Sequence, residues 1–183
     1  MAPKILVAVA DDVEELEAIA IIDCLGRAGA EITVASVNKI QITTCRNVKI
    51  TADCLIGDCL SKTYDLIALP GGMPGAEHLR DSKELAEMLK KQKDSGRLYA
   101  AICASPAVVF EHLGLLAGKK ATCFPAMAEK LKNKEAADQR VVVDGNCITS
   151  QGPGTAVEFA LKLVELLFGG EKARTIAKTM LIQ

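Results

Sequence analysis

The chain has 183 residues, half of them hydrophobic and a quarter charged, and its formal net charge is −1 at pH 7. This size and composition are typical of one globular domain, so we expect a single domain over residues 1–183. The balanced charge and the scarcity of aromatic residues, with no tryptophan, argue against a nucleic-acid partner.

Apolar runs and helical periodicities predict the elements of the first half of the chain. They indicate strands over residues 4–10, 31–37 and 64–69, a helix over 14–28, and a small hairpin of residues 40–44 and 48–51. The third of these strands ends abruptly at Pro70-Gly71-Gly72. The first strand is continuously apolar, which is typical of a buried parallel strand.

The second half of the chain continues the alternation of strands and helices. The patterns predict helices over residues 82–95, 107–113, 154–168 and 171–180, a strand over 98–102, and a hairpin of residues 140–143 and 147–149. Such alternation is typical of a doubly wound α/β sandwich with a parallel sheet. Ligands bind beyond the carboxyl ends of the strands in sheets of this kind.

Cys103 gives the strongest functional signal, because it directly follows the apolar run of residues 98–102. The small residues Ala104 and Ser105 come next, and Pro106 suits the first turn of a helix. This order predicts a strand–turn–helix elbow that presents one side chain at the top of the sheet. A helix N-terminus favours the thiolate, so we expect a Cys103 pKa below that of a free thiol. A buried structural cysteine is the alternative interpretation.

Two other segments are expected at the same edge of the sheet. The Gly71-Gly72 pair lets backbone N–H groups approach a ligand closely, and with the N–H of Ala104 it predicts an oxyanion hole. The alternative is a plain turn that ends a strand. Glu17 lies near the inward face of the first predicted helix, where burial would raise its pKa and leave it protonated beside a thiolate. The alternative is an acid that stabilises the helix N-terminus.

The remaining polar residues exclude several kinds of site. Seven cysteines without a Cys-x-x-Cys pair and only two histidines give little support to a metal site, and no nucleotide-binding glycine motif occurs. Neither His78 nor His112 is placed beside Cys103, which disfavours Cys-His catalysis. We therefore expect no metal and no cofactor. Cys24, Cys54 and Cys147 fall in apolar patterns and are expected to be buried and inert.

The beginning of the chain bears on its compartment. It shows no signal peptide and no arginine-rich transit segment, and no apolar run reaches the roughly 20 residues of a membrane span. We therefore expect a cytoplasmic protein with free thiols and no membrane partner. A plastid location would follow if a transit peptide has been removed.

Four motifs along the chain, taken in order, resemble the ThiJ/PfpI superfamily and more narrowly the parkinsonism-associated deglycase family (the DJ-one family). The motifs are Glu14-Glu15-Leu16-Glu17-Ala18, Tyr64-Asp65-Leu66-Ile67-Ala68-Leu69-Pro70-Gly71-Gly72, Ala100-Ala101-Ile102-Cys103-Ala104 and Thr149-Ser150-Gln151-Gly152-Pro153-Gly154-Thr155. Their order and spacing cover essentially the whole chain. The stretch of residues 119–125 resembles the plant and algal members.

The resemblance implies a flavodoxin-like fold, a homodimer and a role for each site residue. Cys103 would be the nucleophile and redox sensor, and Glu17 would hydrogen-bond to its thiolate or sulfinate. The resemblance also implies that the backbone N–H groups of Gly72 and Ala104 are the oxyanion donors. The pocket residues that it implies are Gly71, Arg27, Arg46, Phe124 and Pro153. Two positions depart from the family pattern, since Phe124 replaces a histidine of the animal members and Gln151 replaces a common arginine.

Three functions are compatible with a cysteine elbow of this kind. The first is a cofactor-independent enzyme that converts methylglyoxal and glyoxal to hydroxy acids, a glyoxalase III-type lyase or a protein deglycase with a role in oxidative stress. The second is a redox-sensing holdase chaperone regulated by oxidation of Cys103. The third is glutamine amidotransferase-like hydrolysis, which lacks its downstream histidine and glutamate partners here.

Overall fold

The computed structural model describes residues 1–182 and contains a central sheet with helices on both faces. The strands of the described chain are β1 (Lys4–Val9), β2 (Glu31–Ser36), β3 (Gln41–Thr43), β4 (Lys49–Thr51), β5 (Cys54–Leu55), β6 (Leu66–Leu69), β7 (Leu98–Ile102), β8 (Val141–Asp144) and β9 (Cys147–Ser150). The helices are α1 (Glu15–Ala28), α2 (Gly75–Asp81), α3 (Lys83–Asp94), α4 (Ala156–Phe168) and α5 (Gly170–Thr179).

Seven of these strands form one sheet in the order β5-β2-β1-β6-β7-β9-β8. All neighbours in it are parallel except β8 and β9, and β3 and β4 form a separate antiparallel hairpin. The prediction of a doubly wound, flavodoxin-like α/β sandwich is confirmed. The order reverses between β1 and β6, so the loops that follow these two strands part and leave a crevice at their carboxyl ends.

The elements that position the crevice form where their sequences predict them. β1 is buried on both faces, with Val7 in register between Val34 of β2 and Ala68 of β6. α1 ends at Gly29, whose φ of 95° lies in the left-handed region that favours glycine. α3 begins after Ser82, whose hydroxyl accepts a hydrogen bond from the Leu85 N–H at 3.2 Å.

Four local features differ from what the sequence patterns predict. The sequence patterns missed α2, which begins directly after Pro74, and the two-residue strand β5. The predicted helix over residues 107–113 is a single π-helical turn, Pro106–Phe110. α4 begins only at Ala156, because a 3₁₀ turn, Pro153–Thr155, comes before it. Short elements such as these depend on tertiary contacts that a sequence window does not contain.

No helix formed by residues 1–182 combines the length and the apolar character that crossing a bilayer requires.

Candidate functional site

Cys103 occupies the predicted elbow, immediately after β7. Its φ of 65° lies in the left-handed region, which is strained for a residue other than glycine by about 1–3 kcal/mol. Backbone bonds hold this conformation, since the Cys103 N–H donates to the Ser150 carbonyl at 2.9 Å and the Phe124 N–H donates to the Cys103 carbonyl at 2.7 Å. The Ser105 hydroxyl donates to the Pro70 carbonyl at 2.5 Å. The elbow is therefore fixed by contacts to three neighbouring loops.

Glu17 reaches the elbow from the first turns of α1. Its side chain is 0% exposed, and its Oε2 accepts a hydrogen bond from the Gly71 N–H at 2.7 Å. The carboxyl group adjoins the Cys103 thiol. Among residues 1–182, no group forms a hydrogen bond of normal geometry with Oε1 of Glu17. A buried carboxyl oxygen without a donor is a natural position for a proton.

The two side chains influence each other's ionisation. Burial raises the pKa of Glu17 to about 7, against the lowering effect of the Gly71 N–H. Burial, followed by the charge on Glu17, raises the pKa of the Cys103 thiol to about 12, although the N–H groups of Gly72 and Ala104 act the other way. The expectation of a depressed pKa for Cys103 is thus wrong while Glu17 is ionised, because it omitted desolvation and the neighbouring carboxylate.

The consequence is that the two acids must be treated as one titrating pair. One proton leaves the pair near pH 7, and the second is held far more strongly because two adjacent negative charges in a buried site repel each other. Cys103 is a thiolate in the singly protonated pair when Glu17 keeps the remaining proton. The N–H groups of Gly72 and Ala104 then supply donors to the sulfur.

The two glycines are required by close backbone approaches. A Cβ on Gly71 would lie 2.6 Å from the Cβ of Cys103 and 2.8 Å from the Ala104 nitrogen. Gly72 has a φ of 90°, and a Cβ there would lie 2.5 Å from the Glu14 nitrogen. The loop after β6 is therefore pressed against both the elbow and the start of α1.

A pocket of about 310 Å³ opens in front of the Cys103 sulfur. Its lining includes six of the residues predicted from the sequence, which are Cys103, Gly72, Ala104, Arg46, Phe124 and Pro153. Gly71 lies behind this surface, where it binds Glu17. The sequence reasoning missed four further lining residues, Glu14, Cys45, Met73 and Met127. The position of Cys45 next to Arg46 in the hairpin was the available signal for one of them.

Arg27, like Gly71, is a predicted pocket residue that does not line the pocket. It lies in the last turn of α1, roughly 15 Å along the helix from Glu17, and its exposed guanidinium pairs with Asp23 at 2.7 Å. The prediction that Arg27 lines the pocket is corrected for the single chain. The amide of Gln151 also points away from the pocket, because it donates to the Asp138 carbonyl at 3.1 Å.

Cys45 belongs to the pocket but differs from Cys103 in its surroundings. Its thiol donates to the Glu14 carboxylate at 3.1 Å and contacts Glu15 at 3.5 Å. Burial and these two carboxylates raise its pKa to about 12. The three side chains are the one group of potential metal ligands found in residues 1–182, and all are partly exposed. Because the thiol proton is engaged by the acids, the geometry indicates thiol–carboxylate bonds and not a metal centre.

Neither histidine lines the pocket. His78 lies in α2 with its Nδ1 3.1 Å from the Asp11 carbonyl oxygen, and His112 is exposed. Asp11 does not line the pocket, and its carboxylate accepts from the Thr43 N–H and pairs with Lys39. Glu14 is the acid that lines the pocket instead.

The chain is similar to several known proteins. Protein DJ-1 homolog B of Arabidopsis thaliana is 52% identical over 181 residues, which cover 98% of this chain and 41% of that protein. The Glutathione-independent glyoxalase DJR-1.2 of Caenorhabditis elegans is 38% identical over 172 residues, covering 93% and 91%. The structure of oxidized Toxoplasma gondii DJ-1 matches with a TM-score of 0.96 at 50% identity, covering 98% of both chains.

The extent of these matches differs between relatives. The chain spans about half the length of the two Arabidopsis relatives, 41% of one and 46% of the other. The model of the DJ-1/PfpI family matches residues 3–166, which include the elbow, the glycine loop and the buried acid. The chain therefore belongs to the DJ-1/PfpI family.

Proposed function

We propose that the chain converts methylglyoxal and glyoxal to hydroxy acids without a cofactor. The observation that carries this proposal is the pairing of Cys103 at a strained elbow with a fully buried Glu17 whose Oε1 lacks a donor among residues 1–182. A nucleophile and a proton carrier thus lie in contact, which is what an aldehyde rearrangement requires. A family relative named as a glutathione-independent glyoxalase supports the choice of substrate.

The first step forms a covalent adduct. The Cys103 thiolate adds to the aldehyde carbon of methylglyoxal, and the electron pair of the C=O bond moves to oxygen. Glu17 gives its proton to that oxygen, so the product is a neutral hemithioacetal and an ionised carboxylate. The N–H groups of Gly72 and Ala104 lie at the sulfur and can stabilise the oxyanion as it forms.

The second step is an internal oxidation–reduction that needs no external partner. The Glu17 carboxylate removes the hydrogen of the former aldehyde carbon as a proton, and the electron pair moves to the ketone oxygen to give an enediolate. Return of this proton to the adjacent carbon, with transfer of the hydroxyl proton from the first oxygen to the second, gives a lactoyl thioester on Cys103. Water then cleaves the thioester, which releases lactate and restores the thiol. The balance is methylglyoxal plus water giving lactate.

The pocket suits a small, polar substrate. Its volume of about 310 Å³ accommodates a three-carbon dicarbonyl, and a Cβ added at Gly152 would already lie 3.9 Å from the Cys103 sulfur. The exposed guanidinium of Arg46 lines the mouth and has no salt bridge within residues 1–182. It can therefore attract the carboxylate of the product.

Turnover of methylglyoxal, with D-lactate measured as the product, tests the proposal. Wild type should form D-lactate, Cys103→Ala should not, and His112→Ala should match wild type because His112 lies outside the pocket. Buffers free of amines separate this activity from deglycation, since amines trap the aldehyde reversibly. D-lactate formation by Cys103→Ala at the wild-type rate would overturn the proposal.

A redox-sensing holdase is the second candidate function. The half-buried Cys103 sulfur faces a pocket open to peroxide, and a Toxoplasma relative with a TM-score of 0.96 has been solved in an oxidized state. On this proposal Cys103 is oxidised to the sulfinic acid, and protonated Glu17 donates a hydrogen bond to it. Suppression of client aggregation by the oxidised protein but not by the reduced protein would support it, and equal suppression by both would contradict it.

We also propose that the chain forms a homodimer through α1. Leu16 and Ile19 lie on one face of this helix and are 50% and 48% exposed, although α1 otherwise packs into the molecule. Covering such an apolar face stabilises a symmetric pair. Light scattering should give twice the chain mass of 19.4 kDa, and a Leu16→Asp variant should give the single-chain mass. A wild-type mass of one chain would contradict the dimer.

We propose a reducing compartment, either the cytoplasm or the plastid stroma, in which the cysteines would be kept as thiols. Fluorescence of the tagged full-length protein in cells would decide between these two locations.

A further inference from the structure

Cys54 and Cys59 lie together at the edge of the sheet, far from the pocket. Cys54 begins β5, and Cys59 ends the 3₁₀ turn Ile56–Cys59 that follows it. Their Sγ atoms are 3.5 Å apart, and within residues 1–182 they are the only two cysteine sulfurs in such contact. Cys54 is partly exposed, which corrects the expectation that it is buried, while Cys59 is buried.

We propose that Cys54 and Cys59 form a reversible disulfide, and that this pair is a redox site which works independently of Cys103. The proposal does not depend on any dicarbonyl activity. Hydrogen peroxide would oxidise the two thiols to the disulfide by accepting two electrons, and a dithiol reductant would return two electrons and restore the thiols.

The chemistry balances in two steps. The Cys54 sulfur, which solvent reaches, attacks one oxygen of hydrogen peroxide, so the O–O bond breaks and a sulfenic acid and water result. The Cys59 sulfur then attacks the sulfenic sulfur, the S–O bond breaks, and the second oxygen leaves as water. The two thiols lose two electrons and two protons in total, and peroxide is reduced to two waters.

The local structure permits bond formation. A disulfide has an S–S length near 2.05 Å, so the two sulfurs must approach by about 1.5 Å. β5 pairs with β2 alone through Cys54 and Leu55, and the 3₁₀ turn after it has two exposed residues, Gly57 and Asp58. A two-residue edge strand and a short turn can make this adjustment without disturbing the sheet interior.

The Tyr64 hydroxyl lies close to the two cysteine sulfurs and provides a second argument for the proposal. It belongs to a side chain that is only 4% exposed, and no hydrogen bond of normal geometry reaches it from residues 1–182. Burial raises the pKa of this hydroxyl, and the nearby sulfurs of Cys59 and Cys54 raise it further. A buried hydroxyl without a partner is destabilising. A small movement of the Cys59 sulfur during bond formation can bring an acceptor to this donor.

The test uses a Cys103→Ser background, so that chemistry at the elbow cannot contribute. The folded protein is treated with hydrogen peroxide, free thiols are alkylated, and peptides are mapped by mass spectrometry without reduction. We expect a linked peptide pair containing Cys54 and Cys59, a loss of two alkylation sites, and full recovery of both sites after dithiothreitol. Cys54→Ser should lose the linked pair, whereas Cys123→Ser, which removes a buried lone thiol, should keep it.

Any of three other results would overturn the proposal. Alkylation of both cysteines after oxidation would show that no bond forms, and a sulfinic acid on Cys54 without a linked peptide would show that Cys59 does not resolve it. A link between two chains would show that the pair is not intramolecular. If Cys59→Ser does not fold, Cys54→Ser carries the same test, because it removes the exposed sulfur and leaves the buried one in place.

Discussion

The elbow at Cys103 and the edge pair Cys54–Cys59 place the same functional group in two opposite environments. Cys103 follows a central strand and contacts a buried acid and backbone N–H donors. The edge pair follows β5, roughly 19 Å away across three intervening strands, and its contact is another sulfur. On our two proposals, the group beside a thiol decides its chemistry. An acid that can share a proton favours addition to a carbonyl, and a second thiol favours a disulfide.

Replacing the acid should give the largest effect. Glu17→Gln keeps an acceptor for the Gly71 N–H and a donor for the Cys103 sulfur, but it cannot exchange protons. We expect methylglyoxal turnover to fall by about 10²–10⁴-fold, the range typical of a lost general acid–base group. The edge disulfide should form as in wild type. Turnover within a factor of two of wild type would show that Glu17 is a packing residue.

The same variant should change how stability depends on pH. Folding raises the pKa of Glu17 from 4.5 to about 7, so the folded state binds this proton more tightly than the unfolded state. Its stabilising contribution is complete below pH 4.5 and is lost as pH rises through about 7, a change of up to about 3 kcal/mol. Denaturant unfolding of wild type should therefore weaken relative to Glu17→Gln between pH 5 and pH 8. Parallel pH profiles would contradict the raised pKa.

A methyl group on the glycine loop should disturb the elbow alone. In Gly71→Ala the added Cβ would lie 2.6 Å from the Cβ of Cys103, so the loop or the elbow must shift. We expect a loss of stability of about 1–3 kcal/mol, as for an overpacked core, and at least a tenfold loss of turnover. Gly57→Ala is the matched control, since a Cβ there meets nothing within 4 Å. Equal behaviour of the two variants would contradict the tight contact.

Graded peroxide should separate the two regions by rate. Cys103 should be oxidised first, to the sulfinic acid, because it alone has a proton-sharing acid and N–H donors. The Cys54–Cys59 disulfide should follow at higher peroxide, since the Cys54 sulfur contacts another thiol and not a proton-sharing acid. Peptide mass spectrometry at each dose measures the order. Oxidation of Cys45 before Cys103 would contradict this predicted order of oxidation.

The smallest effect is expected at Arg27. Its ion pair with Asp23 is exposed, and because solvent screens such pairs they contribute little to stability. Arg27→Ala should change methylglyoxal turnover by less than twofold, because the side chain lies outside the pocket of its own chain. Arg46→Ala, which alters the pocket mouth, is the comparison. A tenfold loss in Arg27→Ala, with Arg46→Ala unchanged, would restore the original prediction from the sequence.

The sequence predicted those parts of the molecule that local patterns encode. The apolar run before Cys103, the small residues after it and the glycine pair were sufficient to predict the elbow and its neighbours. The inward position of Glu17 followed from helical spacing, and its raised pKa is confirmed by its burial. The hairpin around Arg46 followed from turn residues in the same way.

The remaining features depend on contacts between distant segments. The 31-residue separation of Glu14 and Cys45 hid their hydrogen bond, and β5 was too short for its pattern to show the contact of Cys54 with Cys59. The direction of the pKa shift of Cys103 was also wrong, because desolvation depends on the packing around the sulfur. The order of residues predicts which groups lie near the elbow, but the direction of their pKa shifts can be obtained only from the folded structure.

Ultraviolet absorbance of the thiolate during a pH titration tests most directly that Cys103 and Glu17 ionise as one pair. The difference between wild type and Cys103→Ser isolates the elbow from the other six cysteines. The account predicts that the Cys103-dependent thiolate signal of wild type appears well above the value of about 8.5 for a free thiol, and that it appears at lower pH in Glu17→Gln, because the charge on Glu17 is one cause of the raised pKa of Cys103. The same midpoint in both proteins would show that the two groups ionise independently, and would contradict the account.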